Sequence, residues 1–280
     1  MQMTAPEFIQ LALEEDVRSG DYSTLASIPK EARGKAILKI KENGILAGMQ
    51  WAQDIFHFLE PEAEFELFLK DKDAIQYGDI AFEVAAGVHT ILKAERLVLN
   101  TMQRMSGIAT MTRRYVDKIK DYNTKILDTR KTTPLFRMQE KQAVVLGGGV
   151  NHRFGLYDMV MLKDNHIDFC GGIEKAILQT QAYLKAHNLD LKIEVETRTL
   201  EDVKKILATG GVDRIMLDNY APENIVTAVK MIDGAAETEA SGGINYDNLE
   251  LYAATGVDFI SVGALTHHAV SLDISLKAEI

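Results

Sequence analysis

The sequence has little of what would place a protein outside a reducing, aqueous compartment. Its 280 residues include one cysteine, Cys170, so no disulfide can form within the chain. No charge-free apolar run reaches the length of a membrane helix, and the first residues lack the basic start and apolar core of a signal peptide. The net charge of -10 argues against nucleic acid as the main partner, because phosphate neutralisation needs a basic surface. We therefore expect a cytoplasmic protein with no nucleic-acid or membrane partner.

The pattern of apolar and polar residues changes along the chain. Residues 1–105 mix short strand patterns, such as the alternating run Lys35–Lys41, with helical ones. Residues 90–120 predict two helices broken near Ser106 and Gly107. From residue 125 onward, short apolar runs end in polar or glycine residues, and helical patterns separate most of them. Six strands are predicted there, over residues 126–128, 159–163, 193–196, 215–218, 239–242 and 259–263.

The positions of the polar residues favour a β/α barrel over an open sheet. They stand at the carboxyl end of nearly every predicted strand, where β/α barrels place their active sites, whereas an open sheet would concentrate them at one switch point. A full eight-stranded barrel usually takes about 250 residues. The six strands therefore predict a small or incomplete barrel, which part of another subunit would cover.

Cationic residues are concentrated between residues 130 and 163, on an otherwise acidic chain. Arg130, Arg153 and Lys163 follow strand or glycine-rich sequence, and together they would suit a dicarboxylate or a phosphate. Lys131 and His152 lie in the same stretches. Two alternatives stay open from the residues alone. The cations could be solvated surface charges, or Lys163 could be a Schiff-base lysine.

Carboxylates and glycines mark the later strands. Glu194 and Glu196 share one face of a strand and Asp218 ends the next, so the strand ends could hold Mg²⁺ or stabilise positive charge on a sugar carbon. A salt-bridge role toward the cations is the alternative. Ser241–Gly243 and Gly263 end two successive strands, where barrels commonly bind phosphate through backbone N–H groups, and His267 could add a donor.

Taken together, these motifs resemble the quinolinate phosphoribosyltransferase family over nearly the whole chain. The order and number of the motifs make the resemblance specific. They are Glu14–Asp16 with Gly20 and Asp21, Gly44–Gly48, Glu95–Asn100, Ser106–Thr110, Asp128–Pro134, Asn151–Arg153, Lys163–His166, Glu194–Glu196, Leu217–Asn219, Ser241–Ile244 and Gly263–His267.

The resemblance implies an α/β fold with an N-terminal α/β sandwich domain followed by an incomplete parallel β/α barrel. The sandwich would take residues 1–105, joined by the tail 267–280, and the barrel residues 106–266. The family makes nicotinate mononucleotide from quinolinate and phosphoribosyl pyrophosphate with Mg²⁺, releasing pyrophosphate and CO₂. It works as a homodimer or a larger homo-oligomer, and Arg96 matches the arginine that one subunit donates to the site of another.

The resemblance also implies a role for each candidate site residue. The quinolinate carboxylates would be surrounded by Arg96, Thr129, Arg130, His152, Arg153 and Lys163. The catalytic residues would be Lys131, Glu196 and Asp218, which handle the ribose, the pyrophosphate and the metal, with Glu196 and Asp218 holding Mg²⁺ through substrate and water. The 5′-phosphate would be bound by Ser241, Gly242, Gly243, Gly263 and His267.

Two departures from the family pattern stand out. Family members often have glycine after Thr-Thr-Pro, where this chain has Leu135-Phe136, and the stretch before Asp218 is one residue longer near Gly210. Three other functions stay possible at this level. One is that of a relative with the same fold associated with molybdenum uptake. The others are a Schiff-base lyase using Lys163 or Lys131, and a non-enzymatic anion-binding protein.

Overall fold

The computed structural model describes residues 3–279, which form two compact units. The first unit contains residues 3–113, 133–148 and 268–279, and the second contains residues 114–132 and 149–267. The segment 133–148 belongs to the first unit although its sequence neighbours on both sides belong to the second. No sequence pattern predicts that residues 133–148 belong to the first unit.

The first unit is built around a four-stranded antiparallel sheet in the order β12-β1-β5-β3, beside a two-stranded pair of β2 and β4. Helix α4 contributes residues to both units. The elements concerned are α1 (Ala5–Val17), α2 (Tyr22–Ser27), β1 (Arg33–Ile40), β2 (Gly44–Ile45), α3 (Met49–Leu59), β3 (Glu64–Leu67), β4 (Ala74–Ile75), β5 (Ile80–Gly87), α4 (Val88–Lys118), α5 (Arg137–Leu146) and β12 (Ile274–Glu279).

The alternating pattern predicted for Lys35–Lys41 is confirmed by burial along β1. Ala36, Leu38 and Ile40 are buried while the residues between them are half-buried, as expected of a strand with one face on a core. Aromatic rings fill the space beside this sheet, with the Phe56 and Phe65 centroids 5.5 Å apart and those of Phe65 and Phe82 5.2 Å apart. The sheet therefore buries its apolar face against α3.

The predicted break in the helix near Ser106 and Gly107 is wrong, because α4 continues through both residues. Ser106 is buried, and its Oγ accepts from the Ala47 N–H at 3.0 Å and donates to the Ala47 carbonyl at 3.2 Å. A Cβ added at Gly107 would lie 2.0 Å from the Val270 carbonyl oxygen. The small residues therefore allow backbone to approach the helix rather than interrupt it.

The second unit holds the six predicted strands in one parallel sheet, in the order β6-β11-β10-β9-β8-β7. The sheet is not closed into a full barrel, since β6 and β7 stand at its two edges, and the predicted fold class is confirmed. Its elements are β6 (Lys125–Leu127), β7 (Val160–Leu162), α6 (Asp164–Cys170), α7 (Ile173–Ala186), β8 (Ile193–Thr197), α8 (Leu200–Thr209), β9 (Arg214–Asp218), α9 (Pro222–Ile232), β10 (Glu237–Ser241), α10 (Leu249–Ala253), β11 (Phe259–Ser261) and α11 (Ala264–His267).

Local sequence sets the ends of the helices between these strands. Thr199 accepts a hydrogen bond from the Asp202 N–H and Asp202 accepts one from the Thr199 N–H, a capping box that begins α8 directly after β8. Pro222 begins α9. The short connections bring the carboxyl ends of β7 to β11 to the same edge of the sheet. Among residues 3–279, no helix combines the length and the apolar character that crossing a bilayer requires.

Candidate active site

Three of the predicted residues end neighbouring strands at the carboxyl edge of the parallel sheet. Asp218 pairs in register with Ser241, and Glu196 lies on β8 beside β9. The Lys163 Nζ, just beyond β7, is 3.6 Å from Oε2 of Glu196. Burial and the nearby Asp218 raise the pKa of Glu196, while Lys163 lowers it. Glu196, Asp218 and Lys163 therefore share one electrostatic environment.

This carboxylate pair has the chemistry of a hard-cation site. Mg²⁺ is usually bound through one or two carboxylates together with waters and substrate phosphates. Glu196 and Asp218 are half-buried, so their oxygens can reach a cation that also contacts solvent. The Asn219 Nδ2 donates to Oδ2 of Asp218 at 2.6 Å, which fixes the carboxylate plane. The donor set therefore fits the Mg²⁺ predicted from the sequence.

A second group converges on Gly263. A Cβ added there would lie 3.0 Å from Cδ of Lys131 and 3.0 Å from Nε2 of His267, so the bare backbone makes room for both side chains. Thr266 Oγ1 donates to the Lys131 carbonyl at 2.8 Å, and the Lys131 N–H donates to Thr129 Oγ1 at 3.1 Å. These bonds fix the Lys131 backbone while its side chain stays exposed.

The glycines after β10 are not equivalent. Gly242 has φ +91°, and a Cβ added there would lie 2.2 Å from Oδ1 of Asn219. Gly243 has φ +62° and nothing within 4 Å of the same added atom. Gly242 is therefore required by packing, whereas Gly243 has only a backbone requirement and leaves open space for a ligand.

Arg130 and Arg153 form a cationic pair at the same end of the unit. Burial lowers the pKa of Arg153, and the charge of Arg130 lowers it further. The Arg153 guanidinium donates to the Met159 carbonyl at 3.2 Å and to Sδ of Met161 at 3.5 Å. Arg130 is exposed and Arg153 is half-buried, and a bound anion would reduce the repulsion between them.

His152 is buried, unlike the other predicted cations. Its Nε2 lies 3.0 Å from Oε2 of Glu194 and 3.3 Å from Oε2 of Glu239, and its backbone N–H donates to Oδ1 of Asp128 at 2.8 Å. The Arg153 N–H donates to Nδ1 at 2.6 Å. Burial lowers the pKa of His152, and the two glutamates outweigh this effect and raise it to about 9.

Glu239 also contacts a buried arginine, Arg214, which in turn contacts Glu237. Arg214 Nη1 lies 3.2 Å from Oε2 of Glu239, and its Nη2 lies 2.9 Å from Oε2 of Glu237. The guanidinium also lies over the ring of Phe259, 4.3 Å from the centroid. Neither Glu239 nor Arg214 was predicted to be a functional residue. They contact each other across two adjacent strands, so no pattern within either strand marks the contact.

Arg96 is the predicted site residue that lies in the first unit, on α4, with an exposed side chain. The structure places the other predicted residues in the second unit. The donation of Arg96 to a second subunit stays a prediction.

The Thr-Thr-Pro loop carries an unusual backbone. Leu135 has φ 63°, in the left-handed region, and its residue is 73% exposed. Thr133 anchors the loop through its N–H and Oγ1, which donate to the buried Glu140 at 3.1 and 2.9 Å. The family glycine noted above therefore stands at a position where glycine would be relaxed.

Comparison with known families covers nearly the whole chain. Residues 108–277 match the family model for the C-terminal domain of quinolinate phosphoribosyl transferase, and residues 21–106 match that for its N-terminal domain.

Individual proteins agree with these matches. A nicotinate-nucleotide pyrophosphorylase (carboxylating), chloroplastic, from Arabidopsis thaliana is 46% identical over 286 aligned positions, covering 97% of this chain and 82% of that protein. A mitochondrial quinolinate phosphoribosyltransferase (decarboxylating) from Nicotiana glauca is 42% identical over 98% of this chain and 82% of its own length. The crystal structure of NadC from Streptococcus pyogenes superposes with a TM-score of 0.92 at 40% identity, covering 100% of both chains.

Proposed function

Because the chain belongs to the quinolinate phosphoribosyltransferase family, we propose that it transfers phosphoribosyl from phosphoribosyl pyrophosphate to quinolinate. The products would be nicotinate mononucleotide, pyrophosphate and CO₂. One observation supports this most directly: Arg130 and Arg153 follow β6 and the Val150 bridged to it, while Glu196 and Asp218 stand at the ends of β8 and β9 in the same parallel sheet. A dicarboxylate acceptor needs the first pair, and a sugar carbon that gains positive charge needs the second.

The cationic pair would bind quinolinate. The two adjacent carboxylates of quinolinate would offset the repulsion between Arg130 and Arg153. A planar guanidinium can bond a carboxylate in two places, which would orient the ring nitrogen toward the ribose. Thr129 and Lys163 would complete this pocket.

The carboxylate pair would act on the sugar. The pyridine nitrogen bonds to the anomeric carbon as the bond to pyrophosphate breaks, and positive charge develops on the ribose. Glu196 and Asp218 would stabilise that charge and bind the ribose hydroxyls. Mg²⁺, when held by the same carboxylates, supplies charge stabilisation to the pyrophosphate oxygens.

Lys131 and the glycine backbone would hold the phosphates. Lys131 would stabilise the charge gained by the departing pyrophosphate, since its backbone is fixed and its ammonium is exposed. The 5′-phosphate would lie against the backbone at Gly242, Gly243 and Gly263, with Ser241 and His267 as further donors.

Decarboxylation would follow from the first step. A ribosylated ring is a pyridinium, so it accepts the electron pair that the adjacent carboxylate leaves behind as CO₂ departs. A proton then takes the place of that carboxylate. The protein needs to orient the carboxylate and exclude water during this step.

We further propose a homodimer, or a larger homo-oligomer, in which Arg96 of one subunit contacts quinolinate in the site of another. Support comes from the open sheet of the second unit and from the position of Arg96 on an exposed part of α4. We also place the protein in the cytoplasm, which suits a chain with one cysteine. The names of the plant relatives place those proteins in chloroplasts and mitochondria.

The deciding experiment is a turnover assay with quinolinate, phosphoribosyl pyrophosphate and Mg²⁺, in which nicotinate mononucleotide and CO₂ are both measured. We expect one CO₂ for each nucleotide formed, and no product when nicotinate replaces quinolinate. A folded protein that forms no product with quinolinate would contradict the proposal. A borohydride-trapped adduct on Lys131 or Lys163 would point instead to a Schiff-base enzyme.

A further inference from the structure

His152 was predicted to contact the substrate, but its polar atoms are engaged elsewhere. The backbone N–H donates to Asp128, Nδ1 accepts from the Arg153 N–H, and Nε2 faces Glu194 and Glu239. The side chain is 5% exposed. The ring is therefore built into the protein, and its influence on a ligand has to pass through a neighbour.

That neighbour is Arg153. The peptide N–H that donates to Nδ1 of His152 belongs to the residue whose guanidinium lies beside Arg130. The bond is short, 2.6 Å, and it holds the Arg153 backbone against the His152 ring. The guanidinium is held separately at the Met159 carbonyl and Sδ of Met161. The position of the Arg153 backbone, from which its side chain extends, therefore depends on the position of the His152 ring.

The His152 ring is in turn held by a charged chain that runs along β9 and β10. Glu237 contacts Arg214, Arg214 contacts Glu239, and Oε2 of Glu239 lies 3.3 Å from Nε2 of His152. Glu239 is fully buried, and Arg214 is nearly so. Because interiors of such barrels are normally filled by branched apolar side chains, a buried ionic chain here needs a functional reason.

The grouping of His152, Glu194 and Glu239 has ligand atoms within 4.8 Å of one another, as a metal site would. The contact at Nδ1 argues against that use. A metal-binding Nε2 must carry no proton, and its partner Nδ1–H normally donates to an acceptor. Here Nδ1 faces an N–H donor instead of an acceptor, which is not the arrangement of a metal-binding histidine. The geometry is that of a close ionic contact, the buried node, between Nε2 of His152 and two glutamates.

We propose that Glu239 is a positioning residue, which fixes the His152 ring and thereby holds Arg153 in place for an anionic substrate. The inference rests on the proposed function, because it takes Arg153 to bind quinolinate. Glu239 itself touches no substrate. Its effect passes from carboxylate to imidazole and from imidazole to the Arg153 N–H, so it acts on substrate binding rather than on the transfer step.

Steady-state kinetics of Glu239→Ala test this. We expect the KM for quinolinate to rise about tenfold with kcat within about threefold, because a misplaced guanidinium weakens binding of its own ligand. The KM for phosphoribosyl pyrophosphate is expected to stay unchanged. Glu239→Gln keeps a side-chain oxygen that accepts from Nε2–H, so it is expected to restore most of the quinolinate affinity. An unchanged KM for quinolinate in Glu239→Ala would overturn the proposal.

A double-mutant cycle separates this role from general damage. Arg153→Ala should raise the quinolinate KM, and adding Glu239→Ala to it should cause no further rise, because the affected guanidinium is already absent. Independent, multiplying effects would show that Glu239 does not act through Arg153. Glu237→Gln is the matched control: it lies on the same strand and contacts the same arginine, but it has no contact with His152.

A second variant and an NMR measurement complete the test. If Glu239→Ala does not fold, Glu239→Asp retains the charge but withdraws the carboxylate by one methylene, and the same KM rise is expected. Two-bond proton–nitrogen NMR spectra report the protonation and environment of the His152 ring nitrogens without any substrate. We expect Nε2–H in the wild type and a changed ring signal, together with a shifted Arg153 amide, in Glu239→Ala. Unchanged signals would overturn the positioning role, whereas absence of quinolinate turnover by the wild type would overturn the proposed function.

Discussion

Gly242 and Asn219 approach so closely that any side chain at Gly242 would collide with its neighbour. The added Cβ would lie 2.2 Å from Oδ1 of Asn219 and 2.8 Å from its backbone nitrogen, and Gly242 has φ +91°. Asn219 itself has φ 57° and bonds Asp218. A displacement at Gly242 would therefore reach the carboxylate that we propose stabilises the ribose.

Gly242→Ala is accordingly expected to lower the free energy of unfolding by about 2–4 kcal/mol, from backbone strain and overpacking together. Gly243→Ala is the control, since its added Cβ meets nothing within 4 Å and only the left-handed backbone at φ +62° is strained. Its cost is expected to be about 1 kcal/mol. Urea denaturation of both variants measures the difference, and equal losses would contradict the packing argument.

Leu135→Gly is expected to stabilise the protein, in contrast to most substitutions by glycine. Leu135 has φ 63° and is 73% exposed, so glycine removes strain of about 1–2 kcal/mol while losing little packing. The greater freedom of glycine in the unfolded chain offsets about 0.5–1 kcal/mol. The matched control is Leu156→Gly, 71% exposed without a positive φ, which should destabilise. A lower melting temperature for Leu135→Gly would count against strain.

Lys131→Ala is expected to reduce kcat by about 10²–10³-fold, while the dissociation constant for quinolinate stays within about threefold. The reason is that Lys131 lies beside Gly263 and His267, the group that we assign to the phosphates. Rapid-quench kinetics with isothermal titration of quinolinate would measure both quantities. The opposite pattern, weak quinolinate binding with normal turnover, would move Lys131 into the carboxylate pocket.

The buried node makes stability depend on pH with a definite sign. Burial and Glu239 raise the pKa of Glu194 to about 7, and that of His152 is raised to about 9 despite its burial. The folded protein therefore holds a proton that the unfolded chain, with values of 4.5 and 6.5, releases at lower pH. The stability contributed by Glu194 and His152 is full below their unfolded pKa values and is lost as the pH rises through about 7 and then about 9. The lowered pKa of Glu239 has the opposite sign, but it acts only at acid pH.

We therefore expect the unfolding free energy to fall by on the order of 2 kcal/mol between pH 6 and 9 because of this node. Glu194→Gln cannot take up or release the proton, so its profile should be flatter. Chemical denaturation at several pH values gives the comparison, with the exposed Glu31→Gln as control. A wild-type profile that rises over this range would mean that the node holds no extra proton.

Mixed oligomers test whether sites are shared between subunits. Arg96→Ala removes a charge partner of the substrate, which typically costs about 2–5 kcal/mol of binding. If Arg96 acts across an interface, mixing it with Lys131→Ala creates one intact site in each mixed dimer, and about a quarter of wild-type activity should return. No recovery after verified subunit exchange would leave each site complete within one subunit.

The sequence was sufficient for β1 and for the six strands of the parallel sheet, but it did not predict β2, β4 or β12. Alternation in Lys35–Lys41 and the polar endings of the apolar runs each reflect a local rule, so each could be read without knowing its neighbours. Gly107 is a position where such local rules were not sufficient. Its sequence context predicted a helix break, but the carbonyl of Val270, far along the chain, decides its role.

The buried node could not be predicted for the same reason. The role of Glu239 follows from its contacts with Arg214 and His152, and these contacts depend on the strand order. The strain at Leu135 could not be predicted from the sequence either, since an exposed leucine in a loop is compatible with many backbone angles. Local periodicity fixes elements, whereas partners separated in sequence require the fold itself.

The pairing of β12 with β1 has a consequence for how the protein is made. Lys35 stands opposite Glu279 and Ile40 opposite Ile274, so the sheet of the first unit lacks one of its strands until β12 has been synthesised. All six strands of the parallel sheet are synthesised in the interval. During translation β1 therefore presents an open edge that a chaperone, or another nascent chain, can occupy first.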